Sequence, residues 1–148
     1  MNEDGFKLLK HFEAGSGFET KAYWDKTGKV WTIGWGFTKG VKEGDTMTEE
    51  EGNARLIEEI QEYEDGVLRL CTLAPNENQL SAMVCLAWNI GLNPRKGFPI
   101  SAVLRYHNLG NFQKAASSFK SWQKSGGALL PGLVKRRRAE AALYLKAL

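Results

Sequence analysis

Apolar residues recur at helical spacing along most of the chain, with one stretch near the N-terminus that departs from this pattern. Asp4 is placed to cap a first helix over residues 4–13, which Gly15 and Gly17 end, so that Glu13 lies on the apolar stripe at the helix C-terminus. From residue 21 to 37, aromatic and β-branched residues are interrupted by glycines. This stretch predicts two short antiparallel strands around a turn.

The rest of the chain predicts helices. Thr48 and Glu51 form a capping box before a long amphipathic helix over about 49–70, and Asn76 and Gln79 form a second capping pair before an apolar helix that ends near Gly91. Three more helices follow, around 101–107, from Asn111 to about Trp122 or Gln123, and over 133–148.

The order of elements predicts an α+β fold in one domain, residues 1–148. We expect a sheet lobe over about 13–48, a linking helix over about 49–70, and a helical lobe over about 74–148 that also takes the first helix, 4–13.

Composition narrows the class of protein. With 148 residues, 43% hydrophobic and 25% charged, the chain resembles an ordinary globular domain. It has no apolar run of membrane-span length and no signal-peptide core, so we expect no stable membrane insertion. Cys71 and Cys85 form neither a disulfide framework nor a metal-site pattern, and both are expected to be buried free thiols. No metal and no cofactor are expected.

Charge is distributed unevenly. The formal net charge is +3, yet residues 1–93 hold 9 Lys/Arg against 16 Asp/Glu, and residues 94–148 hold 11 against 1. The basic run from Lys135 to Arg138 suggests nucleic acid, a solvated helix face, or one or more arginines that pair with a carboxylate near the site. Because apolar residues interleave with the run and no nucleic-acid motif accompanies it, we expect no nucleic-acid partner.

Glu13 and Asp25 are the candidate catalytic pair. The end of a helix and its apolar side favour a protonated carboxylic acid at Glu13, whereas Asp25 lies in a polar loop. Two carboxylates in unlike settings suit glycoside hydrolysis, with one as proton donor and one as base for water. The alternative is that Glu13 only ends a helix and Asp25 only serves a turn. Thr32 and four tryptophans are further candidates for water or sugar contacts: Trp24, Trp31, Trp35 and Trp88.

The string LLKHFEAGSGFETKAYWDKTGKVWTIGWGFT resembles the N-terminal signature of the phage-type lysozymes (endolysins), glycoside hydrolase family 24. In that family a Glu ends the first helix and is followed by Tyr-x-Asp, a glycine turn and Thr-Ile-Gly-x-Gly. The later blocks NQLSAMVCLAWNIG, NLGNFQKAASSFKSW and GGALLPGLVKRRRAEAALYL resemble the family in the same order. The resemblance therefore covers most of the chain and implies a lysozyme-like fold with a cleft between its lobes.

The resemblance implies that Glu13 is the general acid, that Asp25 positions or activates water, and that Thr32 completes the catalytic group. It also implies an inverting pair, which stands roughly 6.5–9.5 Å apart. The positions that contact glycan or peptide in the family correspond to Thr38, Trp88, Asn89, Ser101 and Ser118.

The chain departs from the family pattern near the first carboxylate. The usual Glu-Gly is Glu13-Ala14, and the stretch before Tyr23 is about three residues longer, so Glu19 is a rival for the acid. The turn before Thr32 is one residue longer, and Phe37 stands where His is common.

The resemblance implies a muramidase that hydrolyses the β-1,4 bond between N-acetylmuramic acid and N-acetylglucosamine in bacterial peptidoglycan, for host cell lysis. The alternatives are a lytic transglycosylase, an inactive glycan-binding relative and a nucleic-acid-binding domain. We expect a monomer that resides in the host cytoplasm, depends on a holin for release, and acts on the cell wall in the periplasm.

Overall fold

The structure, a computed structural model, describes residues 1–15 and 17–148. Within them the chain forms six α-helices and two small antiparallel sheets, so the predicted α+β class is confirmed. The helices are α1 (Glu3–Glu13), α2 (Glu49–Leu70), α3 (Glu77–Ile90), α4 (Ala102–Asn108), α5 (Phe112–Ser117) and α6 (Pro131–Leu145), and the strands are β1 (Glu19–Asp25), β2 (Val30–Gly34), β3 (Lys124–Ser125) and β4 (Ala128–Leu129).

Contacts between residues divide the chain into two compact units. The first, called the sheet unit, is Leu9–Glu59; the second, called the helical unit, combines Met1–Leu8 with Ile60–Leu148. The boundaries fall inside α1 and inside α2, so each of these helices contributes residues to both units.

The sheet unit is built around the β1–β2 hairpin. Tyr23 pairs with Thr32 and Trp24 pairs with Trp31, and an irregularity between Glu19 and Tyr23 shifts the register. The far edge of β1 is also paired, since the backbone N–H of Ala22 and of Met47 donate to carbonyls of the facing segment at 2.9 Å. Because both edges of β1 are bonded, its side chains are held in a fixed alternation.

A tight turn follows β2. The N–H of Ile33 donates to the Phe37 carbonyl at 2.9 Å, and the N–H of Phe37 donates back at 2.8 Å. The turn places Gly34 at φ 67° and Gly36 at φ 99°, a region that side-chain-bearing residues rarely adopt. The Thr-Ile-Gly-x-Gly string of the sequence is therefore a strand followed by a turn that needs both glycines.

The helical unit is organised around α3, which packs against α6. The predicted capping box is present, because Asn76 accepts from the N–H of Gln79 while the Gln79 side chain accepts from the N–H of Asn76. Seven consecutive residues of α3, from Ser81 to Ala87, are buried. α3 is thus the central helix that its apolar composition predicts.

Two local features differ from the sequence prediction. The helix expected from Asn111 to about Trp122 or Gln123 ends at Ser117 and continues as a 3₁₀ turn, Phe119–Trp122. At the junction the Lys114 carbonyl accepts both the backbone N–H of Ser118 at 3.1 Å and its hydroxyl at 2.6 Å. A hairpin that the sequence does not predict, β3–β4, follows the 3₁₀ turn, and Gly126 and Gly127 form its two-residue turn.

The basic run at 135–138 is not a solvated face throughout. Arg136 and Arg137 are buried and form ion pairs with Glu140, at 3.1 and 2.9 Å, and Arg136 also donates to the Cys85 carbonyl at 3.2 Å. The solvated-face interpretation is therefore wrong for these two residues, although Lys135 and Arg138 are exposed.

Candidate active site

Glu13 is the last residue of α1 and is half-buried. The turn after β2 approaches it closely: a Cβ added to Gly36 would lie 3.3 Å from the Glu13 carbonyl oxygen and 3.8 Å from its carboxylate Oε2. The absence of a side chain at residue 36 therefore lets the backbone of the turn pass against the end of α1. The turn of the Thr-Ile-Gly-x-Gly string is therefore packed directly against Glu13.

A cavity of about 170 Å³ opens beside Glu13. It is lined by side chains and backbone from the end of α1, from β1 and from the turn after β2: Glu13, Ala14, Gly15, Gly17, Glu19, Tyr23, Gly34 and Gly36. Glu19, the rival for the acid, thus lines the same cavity as Glu13. Both carboxylates are therefore candidates for the acid in this cavity.

Tyr23 stands between the carboxylates of the hairpin. Burial raises the pKa of its phenol, and the negative charges of Asp25 and Glu19 raise it further. At neutral pH the phenol therefore keeps its proton and is a hydrogen-bond donor beside the cavity.

Asp25 ends β1 and shapes the hairpin turn. Its Oδ1 accepts the backbone N–H of Thr27 at 3.0 Å and of Gly28 at 3.3 Å. A Cβ on Gly28 would lie 3.2 Å from Asp25 Oδ2, so a side chain there would crowd the carboxylate. Asp25 is a turn residue, as the alternative interpretation proposed, and this role occupies one of its two oxygens.

Thr32 shares a hairpin face with Asp25 and Tyr23. Cross-strand pairs place Tyr23 beside Thr32 and Asp25 beside Val30, and residues two apart on a strand point to the same face. Thr32 is only 4% exposed, and its hydroxyl donates to the Val30 carbonyl at 3.4 Å. The hairpin therefore brings two members of the predicted catalytic group to one face.

The tryptophans of the sheet unit have different surroundings. Trp35 packs within it: its indole N–H donates to the Asn53 side chain at 2.9 Å, and its ring contacts Phe18 and the Lys10 ammonium. Trp24 and Trp31 lie on the hairpin face opposite Asp25. None of these three side chains lines the cavity beside Glu13.

The other predicted contact residues are Thr38, exposed in the sheet unit, and four residues of the helical unit. The Trp88 ring packs 5.1 Å from the Tyr63 ring, and the Asn89 side chain accepts from Arg137 at 2.7 Å.

The two predicted serines make local hydrogen bonds at the ends of helices. Ser101 is 3% exposed and caps α4 by accepting the Leu104 N–H at 3.2 Å. Ser118 donates to the Lys114 carbonyl, as described above. For these serines, as for Thr38, Trp88 and Asn89, a role in binding stays a prediction.

Tyr23 and Gly36 are not among the candidate site residues that the sequence suggests. The Tyr-x-Asp spacing carries a signal for Tyr23, since residues two apart on a strand share a face. Arg137, which lies in the basic run, pairs with Glu140 three residues later, so its partner is a carboxylate of its own helix. The contact of Gly36 with Glu13 had no sequence signal, because it joins residues 23 positions apart. Among the described residues, no group of three or more His, Cys, Asp or Glu is placed to hold a metal ion.

Comparison with known proteins identifies the family. The family model described as phage lysozyme matches residues 11–140, which include Glu13, Asp25 and Thr32. The chain belongs to the phage lysozyme family. The resemblance inferred from the sequence is thereby confirmed.

Individual relatives agree with this assignment. The chain is 41% identical over 147 residues to an endolysin of Bacillus phage B103, covering 98% of this chain and 54% of the relative. It is 39% identical over 153 residues to an endolysin of Salmonella phage P22, covering 98% of this chain and 97% of the relative. The chain spans about half the length, 54%, of the Bacillus phage relatives that it matches.

The predicted lysozyme-like fold is confirmed by a solved structure. The endolysin from Escherichia coli O157:H7 phage FAHEc1 superposes with a TM-score of 0.87 at 28% identity, covering 99% of this chain and 94% of that protein. No helix in residues 1–15 and 17–148 combines the length and apolarity that crossing a bilayer requires.

Proposed function

We propose that the protein is an endolysin muramidase that hydrolyses the β-1,4 bond between N-acetylmuramic acid and N-acetylglucosamine in bacterial peptidoglycan. The observation that supports this most strongly is the close approach of the Gly36 turn to the end of α1, which fixes Glu13 at the edge of a cavity in a chain of the phage lysozyme family.

We assign the general acid to Glu13, because it ends a helix whose backbone is anchored by contact with the turn. Glu13 donates a proton to the leaving glycosidic oxygen, so the sugar that leaves becomes a neutral alcohol. Asp25 accepts a proton from the attacking water on the opposite face of the ring, and Thr32 positions that water. A separate base for water gives inversion at the anomeric carbon.

Carboxylate variants test the assignment. Purified peptidoglycan is incubated with the wild type, Glu13→Gln, Glu19→Gln and Asp25→Asn, and new sugar ends are identified by mass spectrometry. Reducing muramic acid ends should appear with the wild type, persist with Glu19→Gln and vanish with Glu13→Gln. Loss in Glu19→Gln with retention in Glu13→Gln would move the acid to Glu19.

The same assay separates the rival activities. Anhydromuramic ends in place of reducing ends would identify a lytic transglycosylase, which needs only one acid. Binding to peptidoglycan with no new ends would identify an inactive glycan-binding relative. ¹H NMR of the first anomer released, recorded before mutarotation, tests inversion, because an inverting enzyme releases the α-anomer from a β-linked substrate.

Peptidoglycan is the partner that this function requires. We further propose that the chain acts as a monomer, waits in the host cytoplasm and reaches the wall in the periplasm through a holin. Expression with and without a holin tests the route: lysis should follow only co-expression.

A further inference from the structure

The outer face of the β1–β2 hairpin exposes an aromatic pair that the candidate active site does not use. Trp24 and Trp31 are directly opposed across the strands, with ring centroids 5.6 Å apart and ring planes at 67°. Trp24 remains 48% exposed, although a tryptophan side chain is usually well covered. The exposed indole of Trp24 and the half-buried indole of Trp31 form one aromatic surface, and an indole combines an apolar face with a hydrogen-bonding N–H.

The aromatic pair is separated from the active-site cavity by the hairpin itself. Tyr23, Asp25 and Thr32 point to one face, and Trp24 and Trp31 point to the other, because side chains alternate along a strand. Trp24 is absent from the lining of the cavity beside Glu13. A ligand on the Trp24 face and a glycan in that cavity therefore occupy different sites.

The Trp24 face is held in place before any ligand binds. The edge contact with Trp31 restrains the Trp24 ring, and backbone pairing fixes both strands. Little side-chain entropy remains to be lost when the ring is covered, which favours binding. Flat aromatic rings of this kind suit the apolar faces of pyranose rings.

Two lysines lie at the hairpin tip, each two residues along the chain from one tryptophan of the pair. Lys26 follows β1 directly, Lys29 precedes β2 directly, and both are exposed at the hairpin tip. Peptidoglycan combines pyranose rings with stem peptides that carry carboxylates, so the aromatic and cationic groups match its two chemical components. The Asp25 side chain lies on the other face, with its Oδ1 bonded to the backbone N–H groups of Thr27 and Gly28.

A lipid surface fits this face less well. The four residues of the tip, 26–29, are polar or glycine and exposed, and they would enter a bilayer before the rings. Membrane binding grows with the apolar area buried, and Trp31 is already half-buried, so a single exposed indole offers little area.

We propose that Trp24, supported by Trp31, Lys26 and Lys29, forms a second glycan-binding site that holds a neighbouring peptidoglycan strand while the cavity on the other face engages the strand to be cut. This inference rests on the proposed function for the identity of the polymer. Binding two strands of the same peptidoglycan network keeps the protein at the wall between cleavage events, because it remains bound to the second strand when it releases the first.

Co-sedimentation with insoluble peptidoglycan tests the second site independently of cleavage. Three variants of the full chain are compared with the wild type: Trp24→Ala, Trp24→Tyr, and a double variant that carries both Lys26→Gln and Lys29→Gln. Trp24→Ala should raise the dissociation constant about five- to tenfold, as expected for loss of one stacked ring. Trp24→Tyr should retain most of the binding, and the lysine variant should weaken it mainly at low salt.

Ile57→Ala is the matched control, because Ile57 is an apolar residue of the same unit with 58% exposure. It should sediment like the wild type. On a short soluble glycan strand, which cannot bridge two faces, Trp24→Ala should keep the wild-type kcat/KM. Thermal unfolding followed by circular dichroism verifies that each variant is folded.

Several results would overturn the second site. These are unchanged sedimentation of Trp24→Ala, an equal loss of activity on the soluble strand, binding of the wild type to anionic phospholipid vesicles that Trp24→Ala abolishes, or a dimer in solution that Trp24→Ala dissociates. Failure of the proposed function is separate, because the wild type would then release no sugar ends whatever its sedimentation.

Discussion

His107 is fully buried in the helical unit, with both ring nitrogens bonded. Nε2 lies 2.8 Å from the Leu73 carbonyl, which only accepts, so Nε2 carries the proton and Nδ1 accepts from the Tyr144 hydroxyl at 2.7 Å. Burial lowers the pKa of the imidazole below its usual 6.5, and the bond to Leu73 acts weakly in the other direction. The folded protein therefore holds a neutral histidine.

This histidine predicts a loss of stability in mild acid. The unfolded chain protonates His107 at a higher pH than the folded chain, so the free energy of unfolding is fully retained above about pH 6.5 and falls as the pH drops toward the lower folded pKa. Urea unfolding at about pH 7.5 and about pH 5.5 measures the difference. His107→Gln should reduce the difference, whereas His11→Gln, at an exposed position, should leave it unchanged. Equal differences in the two variants would contradict the prediction.

Single residues could be assigned from sequence where a local element determines their setting. Glu13 was placed at a helix end because the glycines at 15 and 17 mark that end, and the structure ends α1 there. Tyr23 lies on the same strand as two carboxylates, Glu19 and Asp25, and the register of the hairpin adds its neighbour Thr32. The burial of Arg136 and Arg137 could not be predicted, because charged and apolar residues occur on all sides of α6. The sequence therefore does not indicate which face of α6 packs against α3.

At the scale of elements, capping signals were the most informative part of the sequence. The boxes at Thr48 and Asn76 fixed the starts of α2 and α3, and both show the reciprocal bonds expected. The β3–β4 hairpin is not predicted from the sequence, because strands of two residues are too short to show a periodic pattern. For α5 the predicted start at Asn111 is confirmed, whereas the predicted end lies about five residues too late.

The turn after β2 leads to a prediction about the active site. Gly36→Ala adds a methyl group 3.3 Å from the Glu13 carbonyl oxygen at a φ of 99°, so it strains the turn and displaces the end of α1. The free energy of unfolding should fall by about 1–3 kcal/mol. Hydrolysis of peptidoglycan should fall further than the folded fraction alone explains, as measured by turbidity loss at equal concentrations of folded protein.

Gly40→Ala is the control for the turn. Gly40 also has a positive φ, 75°, but among the described residues no atom beyond Gly40 and its two chain neighbours lies within 4 Å of the position of its added Cβ. It should share the cost of the backbone conformation and keep its specific activity. If the two variants lose the same activity per folded molecule, the contact between Gly36 and Glu13 has no catalytic role.

At the scale of the whole molecule, the net charge of +3 conceals a division along the sequence. After residue 93 the only acidic residue is Glu140, which is buried and pairs with Arg136 and Arg137. The other nine Lys and Arg residues of this segment are exposed. The buried ion pairs therefore serve folding, and nearly all of the surface charge of the segment is positive.

This surface charge predicts a contribution to wall binding that salt can screen. A double variant, Lys135→Gln with Arg138→Gln, removes two exposed positive charges from α6. It should co-sediment less with anionic walls, and its binding should depend less on salt concentration, while its free energy of unfolding stays unchanged. Arg136→Gln is the contrasting variant on the same helix: it removes one of the two arginines that pair with buried Glu140 and should lower the free energy of unfolding by about 3–5 kcal/mol. If Lys135→Gln and Arg138→Gln together leave both binding and its salt dependence unchanged, the positive charge of α6 has no part in attachment to the wall.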